Sequence, residues 1–207
     1  MKLILARHGE TIWNKERRLQ GHQDSPLTED GKKQIAFIAE ALKDEKIDIA
    51  YCSDLGRAID SSKGILQSHN LKAVQRRELR ERSHGIVQGM TQKQADREYQ
   101  DLQEQRKNSK YNFHNPKGES YADADLRVKP FVEEIKQKHS VQTVLLVTHG
   151  GINRIILGQI LKLPQEEMLN IDQPHECIYF IENAEINPLV SYINGAEKGT
   201  GFLKRQI

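Results

Sequence analysis

Two short, uninterrupted apolar runs constrain the fold of this chain more than any other feature of its sequence. They are residues 3–6 (Leu-Ile-Leu-Ala) and residues 144–147 (Val-Leu-Leu-Val). A run that is apolar at every position predicts a strand buried on both faces, as in a parallel sheet covered by helices. In both cases a histidine follows after one intervening residue, His8 in the first and His149 in the second.

Strand and helix patterns alternate along the rest of the chain. Thr28 predicts the N-cap of a helix, and Ser53 or Asp54 predicts the N-cap of another that continues through Leu66. The remaining predicted strands are residues 47–52, 73–79, 176–181 and 189–193, and the remaining predicted helices are 126–138 and 152–161. This alternation predicts an α/β fold, a three-layer α/β/α sandwich whose mostly parallel central sheet has helices on both faces.

The length and composition favour one domain. A chain of 207 residues with 37% hydrophobic residues is long enough for a single sizeable core, so we expect one domain over residues 1–207. Residues 84–123 are rich in Gln, Lys and Asn and predict a partly helical, lid-like insertion. For residues 195–207 two expectations stay open, a flexible tail or a segment that packs on a partner.

The charge and the cysteines exclude several classes of protein. Lys and Arg number 31 against 29 Asp and Glu, and this net charge of +2 forms no block, so we expect no nucleic-acid and no membrane partner. Cys52 and Cys177 lie in apolar runs, which favours buried, reduced thiols. No apolar run approaches the ~20 residues of a membrane span, and we therefore expect a cytoplasmic protein.

Charged residues and histidines follow the predicted strands at the edge where ligands bind in α/β sheets. These segments are Arg7-His8-Gly9, residues 53–57, Arg80-Glu81-Arg82 and His149-Gly150-Gly151. Arginine offers a rigid fork of donors that matches phosphate oxygens, and a glycine-rich helix start adds backbone N–H groups. The set therefore predicts a phosphate-binding site.

Metal catalysis is the main competing chemistry, because histidines and carboxylates can hold zinc or iron. The sequence has no His-Glu-x-x-His, no paired-cysteine spacing and no Asp-x-Asp cluster, so we expect no metal and no cofactor. An imidazole has an ordinary pKa of ~6.5 and is nucleophilic without further activation, which indicates a histidine as the attacking group. Other histidines and arginines are expected to be structural or solvated: His22, His69, His114, His139, His175, Arg76, Arg77, Arg97 and Arg106.

At this point the motif Arg7-His8-Gly9-Glu10-Thr11, followed by Trp13-Asn14, resembles the signature of the histidine phosphatase superfamily, phosphoglycerate mutase-like branch. Further motifs occur in the family's order, and the resemblance covers residues 2 to about 193. They are Leu19-Gln20-Gly21-His22-x-Asp24-x-Pro26-Leu27-Thr28, Ser53-Asp54-Leu55-x-Arg57-Ala58, Leu79-Arg80-Glu81, Gly118-Glu119-Ser120 and Thr148-His149-Gly150-Gly151.

The resemblance implies a phosphoglycerate mutase-like fold and a metal-independent phosphatase, of the broad-specificity or sugar-bisphosphatase type. Its substrate would be a small phosphorylated metabolite, hydrolysed through a phosphohistidine intermediate on His8. Arg7, Arg57 and His149 would surround the phosphoryl oxygens, and Glu81 would be the proton donor. The substrate-binding residues implied are Asn14, Gln20, Gly21, Arg82, His84 and Gly150.

The sequence departs from the family's pattern beside the predicted acid and after Arg57. Residues 83–89 read Ser-His-Gly-Ile-Val-Gln-Gly, where relatives often carry an aromatic before the glycine and Trp-Glu-Gly after it. Asp60 and Ser61 stand where relatives commonly carry Gln and Thr. The phosphate site is therefore expected to be intact and the leaving-group side to be altered.

Several alternatives stay open at this level. The chain could instead be a mutase that rephosphorylates its product, or a protein that binds a phosphorylated ligand without turnover. Phosphoserine, phosphoglycerate, ribazole phosphate and sugar bisphosphates all remain candidate substrates, and Arg82, His84 and Lys117 suggest an anionic leaving group. A homodimer is one hypothesis for its assembly.

Overall fold

The computed structural model describes residues 1–182, 190–193, 197–200 and 203–204. Its strands are β1 Lys2–Arg7, β2 Ile49–Ser53, β3 Val74–Arg76, β4 Thr143–Thr148, β5 Ile171–Asp172, β6 Ile178–Glu182, β7 Val190–Ile193, β8 Glu197–Thr200 and β9 Leu203–Lys204. Its α-helices are α1 Ile12–Lys15, α2 Glu29–Leu42, α3 Gly56–Ile65, α4 Gln92–Glu98, α5 Gln100–Asn108, α6 Tyr121–Lys138, α7 Gly150–Leu161 and α8 Gln165–Asn170. Short 3-10 helices occur at Leu66–Ser68, Arg77–Leu79 and Gly85–Val87.

The central sheet has the strand order β3-β2-β4-β1-β6-β7-β8. The first four strands are parallel, whereas β6, β7 and β8 continue the sheet in antiparallel pairings. The predicted α/β fold with a mostly parallel centre is confirmed, and an antiparallel extension is added to it. A separate two-stranded ladder joins β5 to β9.

Helices cover both faces of this sheet because the central strands are apolar at every position. Leu3 and Leu5 of β1 belong to a core cluster that also contains residues of α6 and α7. Ile4 and Ala6 point the other way, into a cluster that contains residues of α2 and α3. All four side chains are fully buried, so the alternation along one strand defines the three layers.

The strand boundaries differ from the predictions mainly at two places. The predicted strand 73–79 is extended only over β3, because the chain then turns into the 3-10 helix Arg77–Leu79, which buries Leu79 completely. The predicted strand 189–193 corresponds to β7, and Leu189 itself lies outside the described residues.

Both predicted N-caps can be compared with the structure. Thr28 is confirmed, since its hydroxyl accepts from the N–H of Gly31 at 2.9 Å. Ser53 or Asp54 as the cap of α3 is wrong, because the chain stays extended through Leu55. The carboxylate of Asp24, from a distant loop, accepts the N–H of Gly56 at 2.6 Å instead.

The predicted insertion at residues 84–123 contains α4 and α5 and the loop that follows them. Helix α6 begins at Tyr121, earlier than the predicted residue 126, because Ser120 and Asp123 form a capping box. Within residues 195–207, β8 pairs with β7 and β9 pairs with β5, and the other residues lie outside the described part. In the part of the chain that the structure describes, no helix has the length and apolar character to span a membrane.

Candidate active site

The register between β1 and β4 brings two histidines together. Arg7 is paired with Thr148 across the two parallel strands, so the next residues, His8 and His149, leave the sheet side by side. Their ring centroids are 5.1 Å apart. Both are buried, with exposed fractions of 3% and 0%. The prediction that these two histidines share one edge of the sheet is confirmed by the geometry.

Hydrogen bonds fix the position and the tautomer of His8. Its backbone N–H donates to the carbonyl of Thr148 at 3.0 Å, and its ring Nδ1 lies 2.8 Å from the carbonyl oxygen of Gly9. A carbonyl oxygen only accepts, so Nδ1 carries the proton and Nε2 keeps its lone pair. His175 completes the set by donating from Nδ1 to the His8 carbonyl at 2.6 Å.

Burial and neighbouring cations keep both histidines neutral. Burial, followed by the charge of Arg57, lowers the pKa of His8 well below 6.5, and the same two causes lower the pKa of His149. Both ring nitrogens of His149 are buried and have no hydrogen-bond partner among the described residues. A buried polar group without a partner is costly, so His149 is poised to meet a polar group supplied from outside the protein.

Two arginines are held rigidly beside the histidines. Arg7 donates from Nη1 to the carbonyl of Gln173 at 2.9 Å. Arg57 donates from Nη1 to Oδ1 of Asp24 at 2.7 Å and from Nη2 to the carbonyl of Gly21 at 2.9 Å. In each guanidinium the buried Nε has no partner among the described residues. These fixed cations form a preorganised anion site.

Glu81 is held against the start of α7. The N–H groups of Gly151 and Arg82 donate to its two carboxylate oxygens at 3.1 Å and 2.8 Å. A Cβ at position 151 would lie only 2.3 Å from a Glu81 oxygen, so glycine is required there for the contact. Burial acts to raise the pKa of Glu81, but its interaction with His149, the charge of Arg82 and the hydrogen bond from the Arg82 N–H outweigh burial and lower the pKa to about 2. Glu81 is therefore ionised near neutral pH.

The loop after β1 contributes further polar groups. Asn14 lies in α1, where its Oδ1 accepts from the backbone N–H and the hydroxyl of Thr11 at 3.1 and 3.0 Å. Because the oxygen is occupied, the amide NH₂ is the group of Asn14 left for a ligand. Gln20 donates from Nε2 to the Thr11 hydroxyl at 2.8 Å.

Most of the side chains described above line one cavity of about 300 Å³. We call the group Arg7, His8, Arg57, Glu81 and His149 the inner end, and the group Arg82, His84, Arg106, Lys110 and Phe113 the outer end. Ten of the eleven predicted site residues line the cavity: Arg7, His8, Asn14, Gln20, Gly21, Arg57, Glu81, Arg82, His84 and Gly150. The eleventh, His149, does not line the cavity, but its ring lies beside the ring of His8, which does.

Two expectations about individual side chains are wrong. Arg106, expected to be solvated or salt-bridged at the surface, is half-buried and lines the cavity, because α5 folds over the outer end. His175 has the hydrogen-bonded structural role expected of it, since it bonds the backbone of His8, and its ring centroid lies 5.4 Å from that of His8. Lys117, expected near the leaving group, is exposed and does not line the cavity.

The two departures after Arg57 have different consequences. Asp60 forms an exposed ion pair with Lys63 at 3.0 Å. Ser61 is fully buried, accepts from the N–H of Gly9 at 3.1 Å and donates to the carbonyl of Arg57 at 2.7 Å. The hydroxyl at position 61 therefore ties the loop after β1 to α3.

The sequence analysis missed a buried amide network behind the site. Asn153 donates from Nδ2 to the carbonyl of Ala6 at 3.1 Å and to Oε1 of Gln173 at 2.7 Å, and it accepts from the hydroxyl of Thr148. Gln173 donates from Nε2 to the carbonyl of Leu5 at 3.0 Å. Both amides are at most 2% exposed. They lock the ends of β1 and β4, which carry the histidines, in one arrangement.

In the ranges that the structure describes, no group of three or more His, Cys, Asp or Glu residues has an arrangement that could hold a metal ion.

Comparison with known proteins identifies the family. A family model described as histidine phosphatase superfamily (branch 1) matches residues 3–194. Phosphoserine phosphatase 1 of Hydrogenobacter thermophilus is 35% identical over 149 residues, which is 72% of this chain and 71% of that protein. The probable phosphoglycerate mutase GpmB of Yersinia enterocolitica is 32% identical over 164 residues, 79% of this chain and 76% of that protein.

Solved structures share the fold. The alpha-ribazole phosphatase of Shigella flexneri has a TM-score of 0.84 at 23% identity, over 99% of this chain and 96% of that chain. A mycobacterial glucosyl-3-phosphoglycerate phosphatase complexed with VO3 has a TM-score of 0.79 at 27% identity, over 87% of this chain and 92% of that chain. The chain belongs to the histidine phosphatase superfamily (branch 1) and is an enzyme of that family, a histidine phosphatase.

Proposed function

We propose that the protein is a metal-independent phosphatase that hydrolyses phosphomonoesters of small metabolites through a phosphohistidine on His8. One observation carries this proposal. The ring of His8 is neutral, with its proton fixed on Nδ1 by the Gly9 carbonyl, and it lines a cavity beside two immobilised arginines. A nucleophile with an available Nε2 lone pair thus lies next to a preformed anion site.

In the first step Nε2 of His8 attacks the phosphorus, and the bond from phosphorus to the ester oxygen breaks. Arg7 and Arg57 offset the negative charge on the phosphoryl oxygens in the transition state, where most catalysis in phosphoryl transfer arises. His149, whose ring nitrogens have no hydrogen-bond partner within the described ranges, is assigned to a phosphoryl oxygen together with the Asn14 amide.

Glu81 is the proposed proton donor, although it is ionised in the ligand-free site. Binding of a phosphate group places negative charge between the cations that lower its pKa, and the same charge repels the carboxylate. Both effects raise the pKa of Glu81, so it takes up a proton with the substrate. It then gives this proton to the leaving oxygen, which departs as an alcohol.

In the second step Glu81, again a carboxylate, takes a proton from water while the water oxygen attacks phosphorus. The bond from phosphorus to Nε2 breaks, and inorganic phosphate and neutral His8 result. Net hydrolysis therefore consumes one ester and one water and yields one alcohol and one phosphate. One carboxylate serves both steps because its position at the start of α7 is fixed by two backbone N–H groups.

The other predicted binding residues support these groups. Gly21 accepts from Arg57 through its carbonyl. Gly150 lies against the guanidinium group of Arg7, where a Cβ would make an ordinary van der Waals contact at 3.5 Å. Gln20 supports the loop of Asn14 through Thr11. Arg82 and His84 line the cavity at the leaving-group side.

A mutase activity is the second candidate, favoured by the similarity to the probable phosphoglycerate mutase of Yersinia enterocolitica. The same His8 and Glu81 would then return the phosphoryl group to the product. Hydrolysis is preferred because the segment between Glu81 and β4 is short for a lid that seals the site against water. A phospho-ligand-binding role without turnover is the weakest alternative, since all five inner-end residues are present.

We also propose that residues 1–207 form one domain with residues 84–123 as its lid, and that the protein is cytoplasmic. The buried free thiols Cys52 and Cys177 support a reducing compartment. A homodimer remains a hypothesis.

The test is phosphate release from an aryl phosphate and a panel of phosphorylated metabolites, with chelator present, for the wild type and His8→Ala. We expect chelator-resistant release that falls by roughly 10⁴-fold in the variant, as for loss of a covalent nucleophile. His69→Ala is the matched control, because His69 does not line the cavity.

Phosphate release by His8→Ala near the wild-type rate would contradict the proposal. A mutase would instead interconvert phosphoglycerate isomers faster than it releases phosphate. Rapid acid-free quenching and mass measurement should detect a phosphoryl adduct on His8 in the wild type.

A further inference from the structure

A third histidine lies against the proposed nucleophile but outside the cavity. The ring centroid of His175 is 5.4 Å from that of His8, nearly the same separation as the 5.1 Å between His8 and His149. His175 comes from the segment between β5 and β6, and it does not line the cavity. Any influence of His175 on the reaction is therefore transmitted through its neighbours rather than through contact with a substrate.

The hydrogen bond of His175 fixes its tautomer. Its Nδ1 lies 2.6 Å from the carbonyl oxygen of His8, and this nitrogen carries the proton because a carbonyl oxygen only accepts. Burial, followed by the charge of Arg7, lowers the pKa of His175 to about 3. His175 is therefore a neutral donor near neutral pH, and its bond to His8 persists there.

The segment that carries His175 is itself held by hydrogen bonds. The N–H of Cys177 donates to the carbonyl of Pro174 at 3.0 Å, which closes a turn around His175. The Nε2 of Gln173 donates to the carbonyl of Cys177 at 3.2 Å, and the carbonyl of Gln173 accepts from Arg7 at 2.9 Å. The imidazole of His175 is thus presented to His8 by a preformed turn.

One peptide group is held at both of its ends. The carbonyl of His8 and the N–H of Gly9 belong to the same planar peptide group. His175 donates to that carbonyl, and the hydroxyl of Ser61, on α3, accepts from that N–H at 3.1 Å. The Ser61 hydroxyl donates in turn to the carbonyl of Arg57 at 2.7 Å. The peptide group cannot rotate without losing at least one of these bonds.

The orientation of this peptide group determines where the next carbonyl, that of Gly9, points. The Gly9 carbonyl accepts from Nδ1 of His8 at 2.8 Å and so leaves the lone pair on Nε2. A rotated peptide group would carry the Gly9 carbonyl away from Nδ1, and the ring of His8 could then exchange its tautomer. Packing restricts the same loop, since a Cβ at position 9 would lie 2.5 Å from the carbonyl oxygen of Gly31.

We propose that His175 is a positioning residue for the phosphoryl acceptor. Together with Ser61 it fixes the His8–Gly9 peptide group, which keeps Nδ1–H of His8 on the Gly9 carbonyl and leaves Nε2 free to attack phosphorus. This inference rests on the proposed phosphatase function. Because Nε2 attacks in the first step and departs in the second, His175 influences both steps for every ester and has little influence on substrate affinity.

The variants His175→Leu and His175→Asn separate the hydrogen bond from the rest of the side chain. The amide nitrogen of asparagine is as many bonds from the backbone as Nδ1 of histidine and can donate to the same carbonyl, whereas leucine has no donor. With an aryl phosphate and rapid quenching, we expect His175→Leu to form phosphohistidine about 10- to 100-fold more slowly, with KM changed less than about threefold. The rate for His175→Asn should stay within about threefold of the wild-type rate.

The tautomer of His8 is a second readout, and it needs no turnover. In an NMR spectrum the shifts of the ring nitrogens distinguish a protonated from an unprotonated nitrogen, and the signals of His8 are those lost in His8→Ala. We expect the Nδ1–H form in the wild type and in His175→Asn, and a mixture of both tautomers in His175→Leu. His69→Leu is the matched control, because it removes an imidazole that does not line the cavity. Both readouts should be unchanged in that control.

The variant Ser61→Ala tests the same peptide group from its other end, and it serves if His175→Leu folds poorly. It removes the acceptor of the Gly9 N–H, so we expect the same slower first step with little change in KM. Combined with His175→Leu, its loss should be smaller than the product of the two separate losses, since both side chains hold one group.

The two proposals fail in different ways. An unchanged rate of phosphohistidine formation or an unchanged tautomer in His175→Leu would overturn the positioning role, while His8-dependent phosphate release would still support the phosphatase. A loss in His175→Asn as large as that in His175→Leu would also overturn it, because the hydrogen bond would not be the cause. If the wild type forms no phosphohistidine, the proposed function fails and this inference fails with it.

Discussion

The inner and outer ends of the cavity are built in different ways. The inner histidines follow directly from two central strands, and the amides of Asn153 and Gln173 tie those strand ends together. The outer arginines come from a loop and from the short helix α5, whose exposed residues contribute little to either core cluster. Rigidity therefore comes from the sheet at one end, and from a few polar contacts at the other.

This difference indicates that the inner end is suited to the chemical step and the outer end to recognition of the leaving group. A reaction that passes through a phosphorylated histidine needs fixed distances between nucleophile, cations and acid, and a sheet edge supplies them. Recognition of a leaving group tolerates more variation, which a segment outside the sheet can provide. Changes at the inner end should accordingly affect all substrates alike, whereas changes at the outer end should act on particular substrates.

Among the variants that test this comparison, we expect the largest loss of kcat for Glu81→Gln, at the inner end. An amide neither donates a proton to the leaving oxygen nor removes one from water, so kcat for an alkyl phosphate should fall by roughly 10²–10⁴-fold. Steady-state and burst kinetics should show a much smaller loss of the first step with an aryl phosphate, whose leaving group needs no proton. Equal losses of that first step on both esters would indicate a structural role for Glu81.

The pH dependence of stability tests the same residue without a substrate. The pKa of Glu81 is about 2 in the folded, ligand-free protein, below its ordinary value of 4.5. Its ionised form therefore stabilises the fold above pH 4.5, and this contribution is lost as the pH falls through about 2. The free energy of unfolding should drop more steeply with acid in the wild type than in Glu81→Gln, by on the order of 3 kcal/mol in total.

Urea unfolding at a series of pH values measures that difference. Glu29→Gln serves as the control for removing an exposed carboxylate. If the free energy of unfolding changes with pH in the same way in the wild type and in Glu81→Gln, the surroundings of Glu81 do not lower its pKa.

A smaller effect is expected for Gln173→Leu. The substitution leaves the carbonyl of Leu5 and the amide of Asn153 with fewer partners, which should lower the free energy of unfolding by about 1–3 kcal/mol. Because these groups hold the strand ends, kcat should fall by a similar factor for every ester in the panel. A loss confined to some esters of the panel would contradict the proposed division between the two ends.

The sequence was informative where chemistry follows local pattern. Fully apolar runs predicted the strands, and the rule that parallel strands end at one edge predicted that His8 and His149 lie close together. Glu81 and Arg57 were predicted through the motifs of the resemblance. In these cases the residue and its structural context are close neighbours in the chain.

Other features depend on contacts that no local pattern encodes. Asp24 caps α3 from more than thirty positions away in the chain, so the predicted local cap was wrong. His175 and Gln173 reach β1 across more than 160 positions, and no motif marks them. Arg106 lies on a helix without an apolar stripe, so its orientation toward the cavity was not predictable from periodicity.

The contact between Gly151 and Glu81 means that the position of the proposed proton donor depends on the second glycine of the Gly150-Gly151 pair. Any side chain at position 151 would collide with the carboxylate of Glu81 and displace it, while Arg7, Arg57 and His149 would stay in place. Under the proposed mechanism, such a variant would still form the phosphohistidine on His8 but would hydrolyse it slowly. In that mechanism, the absence of a Cβ at position 151 decides between turnover and retention of the phosphoryl group.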